Sequence, residues 1–185
     1  PNGEWVLDFG QNITGVVHAK LDLPAGAQVR LRHAESLDEN GNFYTGNLSF
    51  AKSEDTFRSA GQPAEYLPRF TCHGFRYLCV EGLPESQRDP AAFTACVLTT
   101  DLRRTGQFRC SDERVNQLQS NIQWSQQDNF LEVPTDCPQR SERLGWTGDI
   151  RAYGCTALFN SDAALFLKKW LRDLAADQGE DGAVP

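Results

Sequence analysis

The hydrophobic period of this chain changes once, near Ser111, and that change constrains the fold more than any other feature. Before it, apolar and polar residues alternate. Val17, Ala19, Leu21 and Leu23 alternate with His18, Lys20 and Asp22, and Val29, Leu31 and His33 alternate with Arg30, Arg32 and Ala34. A period of two puts successive side chains on opposite faces of a strand. Pro24-Ala25-Gly26 between the two runs suits a turn, so they are expected to pair as a hairpin. Further strands are expected over 5–9, 55–59, 75–81, 93–99 and 105–109. Asp38-Glu39-Asn40-Gly41-Asn42 is a polar turn cluster. Many short strands punctuated by Gly and Pro predict a β-sandwich.

After Ser111 the period is helical. Ser111 is expected to cap a helix with Asp112 and Glu113 in its first turn, followed by Val115, Leu118 and Ile122 at helical spacing. A second helix is expected over 149–159. A third, capped by Ser161 or Asp162, carries Leu167, Trp170, Leu171 and Leu174 on one face. The predicted architecture is therefore multidomain, β then α, with a β-sandwich over 1–109 and a helical domain over 110–185. Three helices cannot bury two-sided apolar surface among themselves. They are expected to open an α-domain that continues past residue 185.

Composition narrows the function classes. The 185 residues are 39% apolar and 23% charged, with a formal net charge of −7, which is a globular composition. An acidic chain lacks the basic footprint of a nucleic-acid binder. No apolar run is long enough for a bilayer, so no membrane partner is expected. The chain begins with Pro and contains no Met, so it is expected to be an internal piece of a longer protein. Its six cysteines form no Cys-x-x-Cys pair. They are expected to be buried free thiols, which suits a reducing compartment such as the cytoplasm. Three dispersed histidines give no zinc pattern, and no metal or cofactor is expected.

The chemistry concentrates in one stretch, Pro134-Thr135-Asp136-Cys137-Pro138-Gln139-Arg140-Ser141-Glu142-Arg143-Leu144-Gly145-Trp146-Thr147-Gly148-Asp149. Pro138, Gly145 and Gly148 break regular structure, so most of it is expected to be loop. Carboxylates beside an aromatic ring suit a sugar-cleaving site: the acids move protons, and the ring covers the apolar face of a pyranose. Each residue also has a plainer reading. Glu142 could be a surface acid in a salt-bridged loop, Asp136 a turn cap, Asp149 a helix-start carboxylate, Arg140 a structural partner of these acids, and Trp146 a core residue. Trp124 and Trp170 fall on apolar helix faces and are expected in the core. Nothing in the sequence ties His73 or Arg76 to chemistry, and the polar stretch 35–55 is expected to be solvated loop.

The run from Asp136 to Asp149 resembles the catalytic loop of bacterial α-L-rhamnosidases, glycoside hydrolase family 78. Asp8-Phe9-Gly10-Gln11-Asn12 with Gly15, His33-Ala34-Glu35, and the stretch from Pro68 to Tyr77 resemble that family's central β-domain. The resemblance implies a β-domain followed by an (α/α)6 barrel, and inverting hydrolysis of terminal α-L-rhamnose from a small-molecule or oligosaccharide substrate. It implies Glu142 as general acid, with Asp136, Arg140, Trp146 and Asp149 lining the rhamnose subsite. Ser141 stands where the family often has an acid. The family's general base lies far downstream, outside this chain. Two other readings stay open: another inverting (α/α)6 glycosidase, and a non-catalytic carbohydrate-binding module.

Overall fold

The long run of alternation at the start of the chain becomes one strand rather than two. In the computed structural model, which describes residues 3–184, β1 spans Val6–Leu21 and takes in most of both the 5–9 and 17–23 runs. A bulge between Asp8 and Ile13 breaks its register. The Asp8 carboxylate holds the bulge by accepting from the Gly10 amide at 2.7 Å and from Arg76 Nε and Nη2 at 2.7 and 2.8 Å. This accounts for the Asp8-Phe9-Gly10 motif and gives Arg76 a structural partner.

The elements that follow are β2 (Gln28–Ala34), β3 (Ser36–Leu37), β4 (Phe43–Tyr44), β5 (Glu54–Arg58), β6 (Ala64–Tyr66), β7 (His73–Glu81) and β8 (Phe93–Val97). The main sheet runs β5-β2-β7-β1-β6, with β8 also paired to β1. The expected hairpin of β1 with β2 does not form. β7 lies between them and pairs antiparallel with both. Its Phe75, Leu78, Cys79 and Val80 are all buried, and that apolar run demands the centre of the sheet, not an edge. The alternation itself is as expected: Val17, Ala19, Leu21, Val29, Leu31 and His33 all point into the core.

The 105–109 run is not a strand. Its residues are exposed on both sides, so no face is buried to reward pairing, and only an isolated bridge joins Arg104 to Ser161. The helices are α1 (Glu113–Asn129), α2 (Thr147–Asn160) and α3 (Ala164–Asp177), with a two-stranded ribbon of β9 (Phe130–Leu131) and β10 (Val133–Pro134) after α1. Asp112, not Ser111, caps α1, its side chain accepting from the Arg114 amide at 2.9 Å. Ser161 ends α2, and Ala163 precedes α3 without a side-chain cap. On α1, Val115 and Leu118 are exposed, while Gln126 and Asp128 are buried. One apolar residue per turn is too thin a stripe to choose the buried face. Trp170 is buried as expected, Trp124 only half-buried.

Two compact units result. One contains the strands up to Leu98 together with Pro138–Ser141; the other contains Thr99–Cys137 and the residues from Glu142 onward. The core of the helical unit is Phe130, Ala157, Ala163 and Phe166, with Phe130 stacked on Phe166 at 4.6 Å. No helix among the described residues is long and apolar enough to cross a membrane. Only Cys79 and Cys137 of the six cysteines are buried, and Cys155 is exposed. The expectation of buried thiols holds for those two alone.

The core of the strand unit contains an unforeseen polar cluster. His33 and His73 stack at 4.1 Å. His73 Nε2 lies 3.2 Å from Asp55 Oδ2, and His33 Nε2 lies 3.9 Å from the same oxygen. Burial first, then neighbouring His73, pushes the His33 pKa down to about 3. The unfolded chain protonates His33 below its ordinary 6.5, whereas the folded chain does so only near 3. The unfolded state therefore binds more protons in that window, and stability falls as pH drops through it. His33→Leu should flatten the decline of Tm between pH 6.5 and pH 4 in calorimetry. Parallel declines in parent and variant would show that His33 does not set it.

Gly74 on β7 carries the second consequence for the fold. A Cβ there would meet Gln139 Cβ at 2.8 Å and Gln139 N and Cα at 3.0 Å. The sheet thus accepts the 138–141 segment only because residue 74 has no side chain. Gly74→Ala should cost about 1–3 kcal/mol as overpacking, or else release the segment. Faster tryptic cleavage after Arg140, together with a lower Tm, is the expected result.

Candidate active site

The loop between β10 and α2 has no regular structure to hold it, so its own side chains do so. Asp136 and Leu144 are joined reciprocally. The Asp136 amide donates to Leu144 O at 3.1 Å, and the Leu144 amide donates to Asp136 Oδ1 at 3.0 Å. The Cys137 thiol donates to Asp136 Oδ2 at 2.9 Å. Burial alone would push the Asp136 pKa up. The bonds from the Cys137 thiol and the Leu144 amide outweigh it, and Asp136 is held below the usual carboxylate range. Asp136 is thus both an ionised acid and the closure of its loop, and the turn-cap reading is part of the truth.

Glu142 is exposed. Its carboxylate, that of Asp136 and the Cys137 sulfur lie within 4.8 Å of one another. The Trp146 indole donates to Glu142 Oε1 at 3.2 Å across four positions. Trp146 directly precedes α2 and remains 39% exposed, so its ring is not consumed by the core. Arg143, which follows Glu142, has φ 51. A non-glycine residue there carries strain of about 1–3 kcal/mol, a feature that gathers at functional sites. Gly145 lets the loop lie against buried Trp170, since a Cβ would meet Trp170 Nε1 at 2.5 Å.

Asp149 is exposed in the first turn of α2, where the helix dipole favours a negative charge. It shares a cleft of about 200 Å³ with Asp136, lined also by Gln126, Asn129, Phe130 and Tyr153. Tyr153 donates to the Ile122 carbonyl at 3.1 Å, and burial pushes its phenol up to about 12, so it stays a neutral wall. Arg140 is exposed and falls within the 138–141 segment that packs with the strand unit.

The helical unit therefore brings Asp136, Glu142 and Trp146 together, and Asp149 onto the Asp136 cleft. The sequence reading passed over Cys137, Gln126 and Tyr153. For Cys137 the signal was its place next to Asp136 inside the motif; the other two lie on helices without any local mark. Among the described residues three clusters contain metal-ligand types: Asp136/Cys137/Glu142, the largely buried His33/Asp55/His73, and Glu4/Cys79/Glu81. In the second, the two imidazole rings stack at 4.1 Å with 16° between their planes.

Known proteins resemble the whole chain. Residues 1–99 match the bacterial alpha-L-rhamnosidase concanavalin-like domain, and residues 103–185 match the bacterial alpha-L-rhamnosidase 6 hairpin glycosidase domain. An alpha-L-rhamnosidase of Streptomyces avermitilis is 48% identical over 98% of this chain and 18% of its own length. The crystal structure of the S. avermitilis alpha-L-rhamnosidase complexed with L-rhamnose superposes with a TM-score of 0.92 at 46% identity, covering 100% of this chain and 18% of that one. The native Aspergillus terreus alpha-L-rhamnosidase superposes with a TM-score of 0.90 at 46% identity, covering 95% and 20%. The chain thus spans about a fifth of the length of these relatives. With a concanavalin-like strand domain followed by six-hairpin glycosidase helices, it belongs to the bacterial α-L-rhamnosidase family.

Proposed function

We propose that the protein carrying this chain hydrolyses terminal non-reducing α-L-rhamnose from glycosides with inversion, and that Glu142 is its general acid. The observation that carries the reading is the grouping of the Glu142 carboxylate within 4.8 Å of an Asp136 oxygen, where it accepts from the indole N–H of Trp146. Asp136 and Asp149 face one cleft and accept hydrogen bonds from ring hydroxyls there. Arg140, in the 138–141 segment, is assigned to substrate binding by the family resemblance of the motif alone. The bound L-rhamnose of the Streptomyces avermitilis relative supports the sugar.

Inversion requires acid and base roughly 6.5–9.5 Å apart, leaving room for the attacking water. Asp136 and Glu142 are closer than that, so Asp136 is not the base. The base comes from barrel residues beyond the 185 of this chain. Exposed Leu158, Phe159, Leu165 and Leu171 on α2 and α3 support further helices packing against these two. In the mechanism, Glu142 protonates the departing glycosidic oxygen. The base removes a proton from water on the opposite face, and Asp136 and Asp149 hold the sugar between them.

The test uses the full-length protein with a natural rhamnoside and a p-nitrophenyl rhamnoside, following the product anomer by NMR. β-L-rhamnose should appear first. Glu142→Gln should lower turnover about 10²–10⁴-fold, and less on the nitrophenyl substrate, whose leaving group needs little protonation. Equal losses on both substrates would remove Glu142 as the acid; retention of configuration would remove the inverting mechanism.

Trp146 is proposed to cover the apolar face of the sugar and its C6 methyl. Trp146→Ala should lower kcat/KM for rhamnosides more than for their 6-hydroxy analogues. The lost discrimination should stay within about 1–3 kcal/mol, the worth of one methyl group in an apolar pocket. An unchanged ratio with a sharply lower Tm would make Trp146 part of the scaffold.

A further inference from the structure

We propose that Cys137 is a positioning residue: its thiol fixes Asp136, and through Asp136 the Asp136–Leu144 loop keeps the Glu142 carboxylate in place. This rests on the reading of Glu142 as the acid. The geometry is closed on both sides of one carboxylate. Oδ1 accepts from the Leu144 amide at 3.0 Å, and Oδ2 accepts from the Cys137 thiol at 2.9 Å. Leu144 returns the contact by accepting from the Asp136 amide at 3.1 Å. The loop is thereby clasped between two residues eight positions apart, with Glu142 inside it. Cys137 is only 8% exposed, so water does not compete for the thiol. Both its sulfur and the Asp136 carboxylate lie within 4.8 Å of a Glu142 oxygen. A movement of Asp136 therefore reaches the acid directly.

A thiol is a weak donor, but its bond to a charged acceptor is stronger than one to a neutral group. It also opposes the desolvation of Asp136. Burial pushes that carboxyl up, and the Cys137 thiol is the first of the contacts that hold it down. The titratable groups placed against Asp136 include Cys137 and Glu142, with Asp149 and Tyr153 on the same cleft. Without the thiol, Asp136 gains a proton at higher pH and its end of the clasp loosens.

The experiment compares Cys137→Ala and Cys137→Ser in the full-length protein. Serine keeps a donor of similar size, and alanine removes it. Cys137→Ala should lose about tenfold in kcat/KM, the low end for a hydrogen bond to a charged group. The acidic limb of its pH profile should move to higher pH. Cys137→Ser should restore the position of the limb and most of the rate. An unmoved limb in Cys137→Ala, or equal losses in both variants, would reduce Cys137 to a packing residue and overturn the proposal. A second measurement needs no activity. Alkylation of Cys137 by iodoacetamide, read by peptide mass spectrometry, should accelerate in Asp136→Ala because the thiol loses its acceptor. An unchanged alkylation rate would overturn the clasp. Faster alkylation in a protein without rhamnosidase activity would leave the clasp standing and sink the functional reading instead.

Discussion

The reciprocal bonding of Asp136 and Leu144 is the constraint on which the candidate site depends. A loop containing Pro138 and Gly145 has no ladder or helical bonds to fix it, and an exposed acid on such a loop would sample many positions. Two backbone-centred bonds and one thiol bond convert it into a closed ring of chain. A partly buried carboxylate is costly when left alone, but these donors keep Asp136 ionised despite its burial. The charge that the proposed chemistry uses is therefore also the charge that holds the loop shut.

Around that clasp, each neighbour limits one further freedom. Gly145 lets the chain lie against Trp170, which anchors the loop to α3. Trp146 precedes α2 and donates back to Glu142, so the orientation of the acid is tied to the start of a helix. Gly74 admits Gln139 against the sheet, which fixes the excursion in the middle of the loop. Arg143 takes the left-handed conformation where the chain reverses between Glu142 and Leu144. Its strain is tolerated because the residues on both sides are already fixed.

Much of the fold was legible because burial follows periodicity. Val17, Ala19, Leu21, Val29 and Leu31 are buried just where alternation placed them, and three helices follow the strands. Strand partners were not legible. Period two reports which face of a strand is buried but not which strand lies beside it, so the apolar run of β7 marks a central strand without marking β1 and β2 as its neighbours. Caps moved by a residue or two because Ser111, Asp112, Ser161 and Asp162 offer competing acceptors. The site was legible as a set of residue types, since carboxylates, Arg and Trp crowd one irregular stretch. Its wiring was not. That Trp146 bonds Glu142, or that Cys137 bonds Asp136, depends on loop dihedrals that no local pattern dictates.

The buried pair His33 and His73 shows the same limit from the opposite side. Both sit in motifs that resemble the family's β-domain, yet their chemistry differs from that of the loop. The His33 ring lies 3.3 Å from the Ser53 carbonyl through Nδ1, and its stacking partner His73 reaches Asp55. Strongly shifted titration is often a sign of a catalytic site, and the His33 pKa is strongly lowered. It is nevertheless fully buried, whereas Glu142 and Asp149 are exposed. A proton donor must reach its substrate before its pKa matters. Access therefore outranks perturbation here: the histidine cluster is assigned to the stability of the strand unit, and the proposed chemistry to the loop.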